Sequence, residues 1–288
     1  MNTVSELRQH AQVVEETRKI TRAMYLISSA KMKKAARLKS SHSLFFDKVR
    51  SDMRYMLEHA GAKFTDMHYI EQGKNAGYVV IAGDKGLCGD YNTAVCALAE
   101  KTMADGGHER KALYTIGHMA DEYFARRGMD PDVHYDYIIQ DPRLQHARAI
   151  TAELMEMYKS RKLDEVYVIY TRHRAGCAPS PGVMRLLPVL PEDLMDAPSL
   201  GGGEGDMEFY PSVNDVLSSA VPHYLVGLFY SALVESYASE QYARMAAMEN
   251  ATRSADELLE SLKLQMNHAR QALITQEISE ILSGTGSL

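Results

Sequence analysis

From Thr3 to Ala60 the chain contains neither proline nor glycine, and Gly61 is the first residue that would stop a helix. Ala, Met, Leu, Arg, Lys and Glu dominate this stretch, all good helix formers. Thr3 followed by Glu6 has the spacing of a capping box, so the helix can begin close to the terminus. At 1.5 Å per residue it would span roughly 85 Å. The other end of the sequence mirrors it. Pro222 suits a first helical turn, where its missing N–H costs nothing, and only Gly227 interrupts the run to Leu282 before Gly284 stops it. That implies a second rod of roughly 90 Å. Rods this long need a partner along most of their length, and two of nearly equal length at opposite ends of one chain favour an antiparallel hairpin closed by the domain between them.

The apolar spacing supports pairing. Leu7, Ala11 and Val14, then Tyr25, Ser28, Met32 and Ala35, then Phe45, Val49, Met53, Met56 and Ala60 step mostly by three or four, a coiled-coil rhythm broken at Arg18, Thr21 and His42. Ile20, Met24, Ile27 and Leu38 form a second stripe on a neighbouring face. Near the other end Leu258, Leu262, Met266, Ala269 and Leu273 form one stripe, and Ile274, Ile278 and Ile281 continue on an adjoining face.

Between the rods the period changes. Gly77–Ala82 is an apolar β-rich run, Gly83–Asp90 a glycine-rich loop, and Tyr91 to about Met103 a helix. Further strands are expected at Lys111–Ile116, Tyr135–Ile139 and Glu165–Tyr170, with helices at Met119–Arg126 and Pro142–Tyr158. Val183–Val189 reads as an edge strand and Pro191–Gly205 as a connection. Strands alternating with helices imply an open, Rossmann-like α/β sheet covered on both faces. The expected division is therefore 1–69 and 211–288 as coiled-coil helices around a central α/β domain at 70–210.

Composition places the chain among globular proteins, with 45% hydrophobic and 24% charged residues. Uninterrupted apolar runs such as Tyr224–Tyr230 fall short of a bilayer span, and no secretory signal is visible, so no direct membrane insertion is expected and a cytoplasmic location is the simplest. Cys88, Cys96 and Cys177 are too scattered for a disulfide framework or a zinc site. The histidines occur singly, without H-E-x-x-H. Gly83, Gly86 and Gly89 miss the dinucleotide spacing, and Gly89 is followed by Asp90 where a P-loop needs lysine and a hydroxyl. The loop reads as a tight structural turn. No catalytic residues, metal or cofactor are expected, and ATP should bind weakly or not at all.

One electrostatic feature stands out against a formal net charge of -6. Arg18, Lys19, Arg22, Lys31, Lys33, Lys34, Arg37 and Lys39 lie in a stretch with no acidic residue. Helical spacing spreads them around the rod as a collar. A solvated face or nucleic-acid tracking would fit such a stretch, but like charges at this density oppose each other, which favours an acidic protein neighbour.

Several blocks resemble the gamma subunit of F-type ATP synthases: Lys19–Met24 (KITRAM), Ser29–Lys34 (SAKMKK), Gly83–Gly89 (GDKGLCG), Ser239–Met248 (SEQYARMAAM) and Ala269–Ile278 (ARQALITQEI). The resemblance runs nearly end to end. It implies a rotor shaft inside an alpha3beta3 ring, coupling ion flow to ATP synthesis or hydrolysis, with an epsilon-type subunit and a c-ring as further partners and no nucleic acid. It implies a peripheral place on the cytoplasmic face of a bacterial plasma membrane. The expected ring contacts are Arg18, Lys19, Arg22, Lys31, Lys33, Lys34 and Arg37, with Gln271, Thr275 and Gln276 near the other terminus. Tyr25 stands where that family commonly has an acidic residue, and Asp90–Tyr91 replaces its usual small and aliphatic continuation. A non-rotary helical adaptor and an α/β enzyme acting on phosphorylated small molecules through Gly83–Gly89 are the alternative readings.

Overall fold

The computed structural model describes residues 4–58, 73–136, 138–173, 178–195 and 208–285, with side chains described as far as residue 279. The chain divides into two compact units, one comprising Met1–Ser29 with Arg244–Leu288 and the other Ala30–Ala243. Two long helices, α1 (Val4–Glu58) and α6 (Val213–Thr285), pack together, and a mixed α/β region lies between them in sequence. Ala60, Gly61, His59, His68, Cys177 and Gly201–Gly203 fall outside the described residues, as do the side chains of Ile281 and Leu282. Gly284, expected to stop the second rod, lies inside α6, which runs on to Thr285.

The sheet in the larger unit has strands β1 (Asn75–Ile81), β2 (Arg110–Ile116), β3 (Val133–Tyr135), β4 (Glu165–Arg172) and β5 (Ser180–Leu187) in the order β3-β2-β1-β4-β5. The first four are parallel and β5 runs antiparallel at the edge. The central strand β1 is buried on both sides, as its continuous apolar run requires. Its odd positions Val79 and Ile81 face a core shared with α4 (Leu144–Lys159), the second half of α1 and the middle of α6. Tyr78 and Val80 face α2 (Tyr91–Asp105) and α3 (His118–Ala125).

Three expectations need correction. The strand expected over Tyr135–Ile139 ends at Tyr135, because its partner β2 ends opposite at Ile116 and the chain there turns through Gly117 with φ 95°. Ile138–Gln140 is a 3-10 turn whose Ile139 still reaches the core. Within Pro191–Gly205, α5 (Glu192–Met195) forms one helical turn, fixed by Asp193, which accepts from the Leu190 N–H and from Arg185. Pro222 does not open its helix. The start signal is Ser212 with Asp215: the Ser212 hydroxyl accepts the Asp215 N–H at 3.2 Å and donates to its carboxylate at 2.6 Å.

Helix α6 also contains a stretch long and apolar enough, by composition alone, to cross a membrane, which counting uninterrupted runs does not reveal. Half of that stretch is buried inside the protein, and the middle of α6 supplies Leu225, Phe229, Leu233 and Tyr237 to the sheet-facing core. Phe46 of α1 meets α6 at Gly227, where an added Cβ would lie 2.4 Å from Phe46 Cδ2. The Phe46 ring is held by stacking on Tyr224 at 5.8 Å and on His42 at 5.6 Å, so it has little room to yield. Glycine to alanine in an open helix stabilises by about 1 kcal/mol. Here overpacking reverses the sign: Gly227→Ala is expected to destabilise the protein by about 1–2 kcal/mol net, measured as a lowered midpoint in urea unfolding.

Candidate partner-facing surface on the helical hairpin

In the smaller unit, the first turns of α1 lie antiparallel to the last part of α6. Leu7 and Val14 are buried with Ala255, Leu259 and Leu262, and Ala11, Met266 and Ala269 complete the cluster. Alternating steps of three and four run through Ala255, Leu259, Leu262, Met266 and Ala269 on one side and Leu7, Ala11, Val14, Arg18 and Thr21 on the other. The seam is narrow and partly polar. The Thr21 and Thr252 hydroxyls are 2.8 Å apart, and Arg18 reaches Asp256 at 2.9 Å and Glu15 at 2.7 Å.

This register corrects two seam assignments. Leu258 and Leu259 both satisfy an apolar stripe, but only Leu259 is buried, and Leu258 is 41% exposed. Leu273 continues the heptad yet is 49% exposed; with Thr21 and Arg18 paired to Thr252 and Asp256, Val4 stands level with Ala269 and Leu273 lies past the described part of α1. The same ambiguity arises in the larger unit, where Phe46 is buried and Phe45, the expected seam residue, is 62% exposed. On the second stripe Ile20 and Ile27 are exposed, Met24 is half-buried and Leu38 packs against the core of the larger unit.

The basic collar separates into two groups. Arg18, Lys34 and Lys39 act within the chain: Arg18 across the seam, Lys34 on Asp141 at 2.7 Å and Lys39 on Glu235 at 2.8 Å. Hydrogen bonds from Lys34 and Arg143 hold the Asp141 carboxyl below its ordinary pKa. Lys19, Arg22, Lys31, Lys33 and Arg37 are exposed, and none forms an ion pair among the described residues. The Arg22 guanidinium lies over the Tyr25 ring at 5.4 Å. That contact gives Tyr25 a physical role: a ring face orients Arg22 without cancelling its charge, as a carboxylate would. Arg18, Lys19 and Arg22 also border a cleft of about 490 Å³ lined by Ala23, Leu26, Thr252 and Asp256.

Gln271 and Thr275 are exposed on α6 beyond the end of the seam, and the Thr275 hydroxyl donates to the Gln271 carbonyl at 2.9 Å. Gln276 is exposed beside them, with Leu273, Ile274 and Ile278 on the same segment. Sequence reasoning did not single out these apolar residues as a surface, although Ile274 and Ile278 had been seen as an adjoining stripe.

The glycine-rich loop is tied to the start of α2. The Gly83 N–H, which would face an anion, donates to Asn92 Oδ1 at 2.8 Å, and Asn92 Nδ2 donates back to the Lys85 carbonyl and to Cys88 Sγ. Cys88 and Cys96 are buried and neither is in a disulfide, and burial pushes the Cys96 thiol up to about 12. Among the described residues no group of histidine, cysteine and acidic side chains is placed to hold a metal.

Two long paired helices and a mixed α/β region whose glycine-rich loop is tied to its own helix make up the architecture. Comparison with known proteins gives it a family. The family described as ATP synthase matches residues 3–288. The ATP synthase gamma chain of Ruminiclostridium cellulolyticum is 37% identical over all of this chain and 99% of its own length. The sodium-ion-specific gamma chain of Acetobacterium woodii is 32% identical over 99% of this chain and 98% of its own. The rotor of Euglena gracilis mitochondrial ATP synthase shares the fold at a TM-score of 0.63 and 17% identity, covering 94% of this chain and 98% of that one. The chain belongs to the gamma-chain family of F-type ATP synthases, as the central rotor subunit that couples ion transport to ATP synthesis.

Burial makes a clean distinction between two leucines. Leu262→Asp places a charge in the seam and is expected to cost about 3 kcal/mol or more, whereas Leu273→Asp should change stability by less than about 0.5 kcal/mol. Cross-linking between cysteines introduced at positions 14 and 259 reads the hairpin directly. It should be lost with the first variant and kept with the second.

Proposed function

We propose that the outward cations Lys19, Arg22, Lys31, Lys33 and Arg37 are the chain's electrostatic contact with the acidic levers of an alpha3beta3 ring. Arg18 and Lys34 support that contact by fixing the helices that present it. Gln271, Thr275 and Gln276, with the exposed leucine and isoleucines beside them, form the second contact with the ring. In this reading the helices at 1–69 and 211–288 are the shaft, the domain at 70–210 meets an epsilon-type subunit and the c-ring, and the assembly sits on the cytoplasmic face of a bacterial membrane.

The observation that carries the proposal is the split in the collar. Cations whose only purpose was to stabilise the chain would be paired within it, as Arg18, Lys34 and Lys39 are. Dispersed charge also suits a turning contact, since it guides successive orientations without the interlocking that would stop rotation.

Reversal of Lys31, Lys33 and Arg37 to glutamate, with Lys34 left on Asp141, tests it. Exposed pairs are worth about 0.5 kcal/mol each, so three reversals should weaken the contact about tenfold. In assembled complex of confirmed stoichiometry, ion pumping per ATP hydrolysed should fall at low salt and recover as salt screens the repulsion. Unimpaired coupling at low salt would leave these residues as a solvated face.

A further inference from the structure

In a doubly wound sheet, ligands bind in the crevice beyond the carboxyl ends of the strands at the point where the strand order reverses. In this sheet the point lies at β1, which has β2 and β3 on one side and β4 and β5 on the other. The crevice is therefore bordered by Gly83, just past β1, by Thr171 at the end of β4, and by Tyr91 and Asn92 at the start of α2.

Helix α6 of the same chain fills it. The Thr171 N–H donates to Ser236 Oγ at 3.3 Å, and Ser239 Oγ donates to the Thr171 carbonyl at 3.1 Å. The Tyr91 hydroxyl donates to the Ser236 carbonyl at 3.1 Å. Glu240 closes over the glycine loop: a Cβ added to Gly83 would sit 3.1 Å from Glu240 Oε1. Ser236 and Ser239 are completely buried and Glu240 is 5% exposed. Their spacing of three and four residues puts them on one face of α6, which elsewhere in this unit presents Leu225, Phe229 and Leu233 to the core. Buried polar groups cost free energy unless matched, and Ser236 and Ser239 are matched to the N–H and carbonyl of Thr171, two residues past the last pairing of β4 with β1.

We propose that the switch-point crevice is a binding site whose ligand is α6 itself, and that Ser236, Ser239 and Glu240 are the positioning residues that make α6 and the α/β domain turn as one body. The proposal rests on the rotor reading. Apolar ridges on a helix can slip against a sheet and find similar contacts, because the hydrophobic effect is not directional. Hydrogen bonds are. A slip of one residue moves the helix by about 1.5 Å and rotates it by about 100°, enough to break all three bonds. The polar patch thus sets one axial and one rotational position.

The test is Ser236→Ala with Ser239→Ala, a change that keeps helix propensity and removes only the hydroxyls, accompanied by Glu240→Gln as a separate variant. Loss of a bond worth about 1.4 kcal/mol should speed exchange of the Thr171 amide about tenfold, read by hydrogen–deuterium exchange on the isolated chain. In the assembled complex, ions moved per ATP hydrolysed should fall, and salt should not restore the ratio, because the lock is buried; this separates its failure from that of the exposed collar. Ser236→Thr, which returns a hydroxyl, should recover the ratio. Val234→Ala, which removes buried apolar packing and leaves the lock intact, should keep the ratio. Unchanged Thr171 exchange and full pumping in the double variant would overturn the proposal. So would an equal loss of pumping in Val234→Ala, since the effect would then be one of stability alone.

Discussion

The middle of α6 has two duties that constrain everything else in the larger unit. It is a core helix, with Phe229, Leu233 and Tyr237 packed under the sheet, and it is also a segment of a rod that must continue in both directions without a break. A helix with only apolar contacts would meet the first duty and leave its axial setting loose. The interleaving of Ser236, Ser239 and Glu240 with that apolar surface reconciles the two, since burial supplies adhesion and the matched polar atoms supply position. Gly227 extends the same logic to α1 by letting the Phe46 ring lie directly on the α6 backbone.

The hairpin in the smaller unit is built differently. Its apolar cluster is small, and alanines and threonines occupy positions where a tight zipper would place leucine. Polar clasps at Thr21–Thr252 and Arg18–Asp256 take over part of the pairing. Arg18 belongs to the charged stretch of the sequence by composition and to the seam by geometry, so charge counting alone could not separate it from Lys19 or Lys31.

Much of this was legible in the sequence. Absence of proline and glycine gave the long helices, and alternating periods gave the α/β middle. The misses share a physical cause. At Leu258/Leu259 and Phe45/Phe46 two large apolar neighbours compete for one seam position, and residues about 100° apart on a helix cannot be ranked by spacing when both satisfy the stripe. The partner helix decides. Leu273 was misplaced for a related reason, because a heptad records what a helix could pair with, while the register set by Thr21–Thr252 and Arg18–Asp256 carries Leu273 past the described part of α1. The occupied crevice was invisible for another reason: Ser236 and Glu240 lie about 150 residues from Gly83 in sequence, and nothing local signals their meeting.

The segment of α6 past Ala269 has one more consequence. A lone helix of this length is marginal in water, because nucleation is costly and the usual stabilisation comes from packing one face. Here that face, with Leu273, Ile274 and Ile278, is exposed among the described residues. In this chain the tip is nevertheless helical as far as Thr285, and it turns Leu273, Ile274 and Ile278 outward. Apolar area left in water along a rod is where a neighbour of like chemistry would gain most by covering it.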